Sequence, residues 1–137
     1  MDYGAPDAGL ALIGAVLGTN GAALDDLHVR GDDFPKPAVG AVYDVARKLH
    51  SDGQAVDYVT LSSAVPEHHR AVVLAALDYS SMAYNVSEWA RIIEHHGVHR
   101  RVAQVGAQIA ALDPGLSSAE MIDRAQALVA DLADRTV

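Results

Sequence analysis

One segment, Val86 to Leu112, reads as a single uninterrupted helix whose apolar stripe changes sides halfway along. At about 100° per residue, Trp89, Ile92, Ile93 and His96 share one face, and Val98, Val102, Val105, Ile109 and Leu112 share nearly the opposite one. A helix of that length, about 40 Å, therefore serves two separate apolar interiors. The second set recurs at spacings of four, three, four and three, the seam of one helix packed along another. Asp113-Pro114-Gly115 then turns the chain, and a second amphipathic helix follows over Ser118 to Arg135, with Ile122, Ala125, Leu128, Val129 and Leu132 as its apolar residues. The pair forms a helical hairpin projecting from a globular body. Two helices enclose too little interior to hide both apolar faces, so the expectation is that a second copy or a partner covers the remainder.

The preceding residues read as that body. Half of the chain is apolar but only seven residues are aromatic, and a supply of Ala, Val and Leu suits helices packed closely on helices. A first helix starts at Pro6-Asp7, carries Leu10, Leu12, Ile13, Val16 and Leu17, and closes at Gly18. A short helix over Ala22 to Leu27 and a turn at Arg30-Gly31-Asp32-Asp33 come next. Phe34, Val39, Val42, Tyr43, Ala46 and Leu49 then recur at helical spacing, with Pro35 and Pro37 confined to the start and Gly53 near the exit. Val56 to Leu61 has the β-branched content of a strand but no second strand to pair with, so Asp57 reads as a helix cap. Pro66 interrupts, and Glu67 to Asp78 resumes as a helix. Asn85 with Glu88, and Ser117 with Glu120, have capping-box spacing. The fold class is all-α: a helical body over residues 1–93, with Leu12, Ile13, Phe34, Tyr43, Leu61, Trp89 and Ile92 in its core, and an association hairpin over residues 94–137.

Several functions are disfavoured by composition. Ten Lys and Arg against eighteen Asp and Glu give a net charge of −8, which opposes independent binding to a phosphate backbone. The absence of cysteine removes disulfides, thiolate metal sites and thiol nucleophiles, and a cytoplasmic setting is the expectation. The run Leu10 to Leu17 is too short to span a bilayer. His95 and His99, one helical turn apart, have the spacing of a two-imidazole metal site, but further ligands are missing and Glu94 precedes the first histidine. His96 reads as a packing residue and no metal is expected. Asp32, Asp33 and Asp57 sit at turns and helix starts, where capping accounts for them. Arg100 and Arg101, beside the apolar seam, are the candidate partner-binding residues.

The ordered landmarks resemble the N-terminal domain of the replicative DNA helicase DnaB family. Ala8-Gly9-Leu10-Ala11-Leu12-Ile13-Gly14 is similar to the family's opening helix. Asp33-Phe34, Pro37-Ala38, Val42-Tyr43-Asp44, Leu49, Gly53 and Val56-Asp57 with Val59-Thr60-Leu61 resemble its middle signature. Asn85-Val86, Trp89-Ala90, Ile92-Ile93-Glu94 and Arg100-Arg101-Val102 are similar to the start of its hairpin, and Ile122-Asp123-Arg124-Ala125-Gln126 with Ala133-Asp134-Arg135 to the second hairpin helix of actinobacterial members. The chain departs from the family at Pro35 and Val39, where Tyr and His are common, and lacks the Gly-Gly loop usual near Glu67 to Ala75.

The resemblance implies a non-catalytic collar. Such domains pair through their hairpins, the dimers assemble into a ring as a trimer of dimers, primase docks on the collar, and DNA is met only indirectly. The helicase motor domain, with its ATP and magnesium, belongs to a longer parent. This chain has no Gly-x-x-x-x-Gly-Lys-Ser/Thr loop, and Gly18-Thr19-Asn20-Gly21 lacks the lysine, so no cofactor and no ATP hydrolysis are expected of it. The alternatives are a stand-alone adaptor of the same fold that binds a helicase or primase, a histidine-based metal protein, and a helix-turn-helix DNA reader, the last opposed by the acidic charge.

Overall fold

The computed structural model describes residues 5–80 and 85–136, with side chains over 8–80 and 85–134. All regular structure among these residues is helical: α1 (Ala5–Gly18), α2 (Pro37–Ser51), α3 (Tyr58–Ala64), α4 (Arg70–Ala76), α5 (Val86–Ala110) and α6 (Ser118–Thr136), with 3₁₀ turns at Ala22–Asp26, Gly31–Asp33, Glu67–His69 and Leu77–Tyr79. The chain divides into two compact units, the first ending at Gly97 and the second beginning at Val98.

In the first unit α1 is central because it has almost no polar face to present to water. Leu12, Ile13, Ala15 and Val16 have no exposed surface, and the helix lies against α2, α4 and the 77–79 turn. On α2, Val39, Val42, Tyr43, Ala46 and Leu49 form the buried stripe, while Asp44 and Lys48 face water. Phe34 packs its ring 4.9 Å from that of Tyr43, tilted by 41°, a favourable aromatic arrangement. Burial raises the pKa of the Tyr43 hydroxyl, and Arg47 moderates that shift by donating to the oxygen at 3.3 Å. The same guanidinium donates to the carbonyls of Val29 at 2.8 Å and Leu27 at 3.3 Å, so one arginine ties the extended stretch after the first 3₁₀ turn to α2.

The Asn20-Gly21 turn has φ of 52° and 91°, and the Asn20 side chain accepts from the Val56 amide at 2.8 Å. That pairing holds Val56, fully buried, against the Asn20-Gly21 turn, and the next residue caps α3: Asp57 Oδ1 accepts from Thr60 N at 2.8 Å. The β-branched run is therefore a capped helix. The expected helix at 22–27 is instead a 3₁₀ turn closed by Leu24 N to Gly21 O and Leu27 N to Leu24 O, since Leu27 already has extended backbone angles. Residues 67–79 likewise divide into α4 flanked by two 3₁₀ turns, the first set by Pro66, which has no amide hydrogen to donate. At the start of α5, Glu88 is committed to Arg91 one turn on, with Arg91 Nε donating to Oε2 at 3.3 Å.

Hydrogen bonds from the Thr60 amide, and then its hydroxyl, hold the Asp57 carboxyl below the usual carboxylate range. A depressed folded-state pKa stabilises the fold at neutral pH and loses that contribution as pH falls through the carboxylate range. Asp57→Ala is therefore expected to lower the melting temperature at pH 7, with the gap to wild type narrowing in acid; scanning calorimetry from pH 7 down to about pH 3 reads it.

Leu12, Ile13, Phe34, Tyr43 and Leu61 are buried. Trp89 and Ile92 are not in the core but half-buried at its margin, because the line α5 turns inward is Ala90, Ile93 and Gly97. Gly97 explains the placement: its Cα faces the carboxylate of Asp33, itself only 4% exposed, and a methyl group there would collide with Asp33 Oδ1. Small residues bring this helix close, and the bulky Trp89 is displaced to the side.

Within the second unit, Gly106 stands inside α5 with nothing within 4 Å of where a methyl would project. Gly106→Ala removes only the entropic penalty of glycine in a helix, so thermal unfolding of the dilute chain should show a gain of about 0.5–1 kcal/mol.

Candidate functional site

The second unit contains the candidate site. After α5, Ala111 N and Leu112 N bond back to Ala107 O and Ile109 O, and Asp113 closes the turn by accepting from Gly115 N at 2.8 Å on its side chain and from Leu116 N at 3.1 Å on its carbonyl. Ser117 Oγ then accepts from Glu120 N at 3.2 Å and its carbonyl from Met121 N, which starts α6. The Asp-Pro-Gly stop and the serine cap are local signals carried out locally.

Side-chain burial divides the residues grouped in sequence as one association surface. Val98, Val105 and Ile109 on α5, Leu112 in the turn that follows it, and Ala125, Leu128 and Leu132 on α6 are half-buried. Val102, Ile122 and Val129 remain 50%, 58% and 51% exposed. The half-buried line on α6 also includes Met121, so its spacing is four, three, four from 121 to 132, the seam of a two-helix packing. Ile122 and Val129, seven residues apart, lie roughly a quarter-turn round the helix from that line, whereas Val102 lies about 20° from Ile109, on the half-buried line of α5, and is nonetheless half-exposed. Seven of the ten residues are thus half-buried, and three, Val102, Ile122 and Val129, present apolar surface to water. Met121 fits the same heptad spacing, but Ile122 beside it is equally apolar, so spacing alone does not choose between them.

Arg100 and Arg101, expected at the edge of this surface, are half-buried and engaged in polar or charged contacts. Of the histidines on α5, His95 and His99 are exposed, and His96 is half-buried with Nδ1 3.3 Å from the Asp33 carbonyl. Among the described residues no three histidine, aspartate or glutamate side chains converge as metal ligands. Asp33 caps its own turn, its Oδ2 accepting from Arg30 N at 3.0 Å. No described helix is long and apolar enough to cross a membrane.

The charge is distributed unevenly. Of the ten basic and eighteen acidic residues, six and thirteen fall in residues 1–97, and four and five in residues 98–137. The ridge-bearing unit is therefore almost neutral and resists close approach of another copy far less than the first unit does.

Comparison with known proteins places this architecture. Residues 4–95 match the model of the DnaB-like helicase N terminal domain, two thirds of the chain. The chain belongs to the DnaB-like helicase N-terminal domain family. It is 27% identical over 136 residues to the replicative DNA helicase DnaB of Mycobacterium leprae, covering 90% of this chain and 22% of that protein. The chain thus spans about a fifth of the curated relative's length. Its structure matches the crystal structure of the N-terminal domain of DnaB helicase from Mycobacterium tuberculosis with a TM-score of 0.79 and 26% identity, covering 91% of this chain and 94% of the other. These 137 residues correspond to the N-terminal domain of a DnaB-type helicase. The all-α fold and the family resemblance read from the sequence agree with these matches.

Proposed function

We propose that this chain is the assembly collar of a replicative DNA helicase, pairing with a second copy through its α5–α6 hairpin, building the dimers into a ring, and offering that ring to primase in the cytoplasm. The motor and its ATP belong to a longer parent, and DNA is engaged through the assembled helicase. The observation that carries the reading is the set of three half-exposed branched apolar side chains, Val102, Ile122 and Val129, on an almost neutral hairpin. Water contact by such residues is unfavourable at roughly 25 cal/mol per Å² of apolar surface, and pairing of like ridges removes it on both copies at once. Family membership supports the same assignment.

Because the chain has no cysteine, a single thiol can report on the ridge. In Val102→Cys the maleimide labelling rate should fall as chain concentration rises, while Val59→Cys, at a residue 70% exposed in the first unit, should label at a constant rate. Concentration-independent labelling at Val102 would contradict the proposal.

A further inference from the structure

A groove of about 530 Å³ opens in the first unit between the Ala22–Asp26 turn and the first half of α5. Its apolar wall includes Ala23, Leu27 and Ala90, of which Leu27 and Ala90 are buried and Ala23 half-buried. The alanine methyls leave space that a larger side chain would fill, and the volume lies in the range of binding clefts. Three charged groups on its lining decide what can enter. Arg91 is committed to Glu88, whereas Asp26, exposed, and Glu94, half-buried, have no hydrogen-bond or ion-pair partner among the described residues. The uncompensated charge of the groove is negative, in a unit with thirteen acidic and six basic residues.

We infer that this groove docks a basic segment of another protein, in which one bulky apolar side chain is flanked by Lys or Arg. The apolar side chain enters against Ala23, Leu27 and Ala90, and the flanking cations meet Asp26 and Glu94. A second copy's first unit carries the same sign of charge, and nucleic acid is repelled for the same reason. Every residue used lies between positions 22 and 94, so the inference goes beyond hairpin pairing and does not rest on it.

The test is an NMR titration of the ¹⁵N-labelled chain with the capped peptide Lys-Lys-Leu-Phe-Lys-Lys. Amide shifts are expected at Ala22, Ala23, Ala90 and Glu94. Replacing Leu-Phe of the peptide by Ala-Ala should weaken binding about tenfold, and so should the double variant Asp26→Asn with Glu94→Gln, whose melting temperature should match wild type. Equal affinity for the two peptides, an unaffected double variant, or shifts spread over distant acids such as Asp52 and Glu67 would overturn the inference, as would the same shifts with an oligo(dT) strand. The titration is repeated on a chain carrying Val102→Lys, Ile122→Lys and Val129→Lys. Unchanged affinity there is expected whether or not hairpin pairing is correct, and lost affinity would place the site between copies and overturn it.

Discussion

Gly40→Ala should destabilise the first unit by about 3 kcal/mol, the upper part of the range for overpacking by a single methyl group. The added carbon would be placed on the carbonyl oxygen of Gly31, with the Gly31 carbonyl carbon and Cα directly behind it. All three are backbone atoms, so no rotamer change relieves the collision. The Gly31–Asp33 turn is also pinned where it is, since Gly31 N donates to Asp44 Oδ1 at 2.9 Å and Arg47 anchors the preceding Val29 carbonyl to α2. Relief therefore requires the turn to lift off α2 and abandon those bonds. Urea unfolding should show a lower midpoint with an unchanged slope, and the melting temperature should fall by about 10 °C. A change within about 0.5 kcal/mol, as for an ordinary surface substitution, would show that α2 and the turn do not approach as described.

Charging the hairpin ridge should have the second large effect, on association instead of folding. Val102→Lys, Ile122→Lys and Val129→Lys each replace a side chain already half in water, so each isolated chain should keep its stability within about 0.5 kcal/mol. In a paired hairpin the ammonium would lose its hydration against apolar neighbours, and the triple variant should dissociate at least about a hundredfold more readily. Val105→Lys provides the contrast. Val105 is half-buried, so its charge should melt the hairpin itself and be visible as lost helicity. Sedimentation velocity with circular dichroism separates the two outcomes. A triple variant that sediments like wild type would remove the ridge from the interface.

Local signals explain how much of this was legible in advance. Asp57 was recognisable as a cap, and Asp113-Pro114-Gly115 as a turn, because the groups that satisfy them lie within three residues. The heptad spacing of the apolar residues on α5 and α6 was legible, as any such repeat is. Its division into covered and open residues was not, because adjacent apolar positions such as Met121 and Ile122 fit either register until the two helices fix their rotation. Helical spacing groups Trp89 with Ile92, Ile93 and His96 as one inward face, whereas packing turns the line of Ala90, Ile93 and Gly97 inward, with Gly97 lacking a side chain where α5 meets Asp33. Arg47 gave no sequence signal at all: its partners are the carbonyls of Leu27 and Val29, and backbone groups carry no residue code. The groove beside α5 was hidden similarly, since alanines read as filler until the space they leave is seen.

The most direct measurement is the mass of the wild-type chain by sedimentation equilibrium across a concentration series into the high micromolar range. A species of twice 14.4 kDa or a larger even multiple is expected, reverting to 14.4 kDa in the triple lysine variant. A wild-type chain that remains at 14.4 kDa throughout would contradict the claim that Val102, Ile122 and Val129 are covered by a second copy.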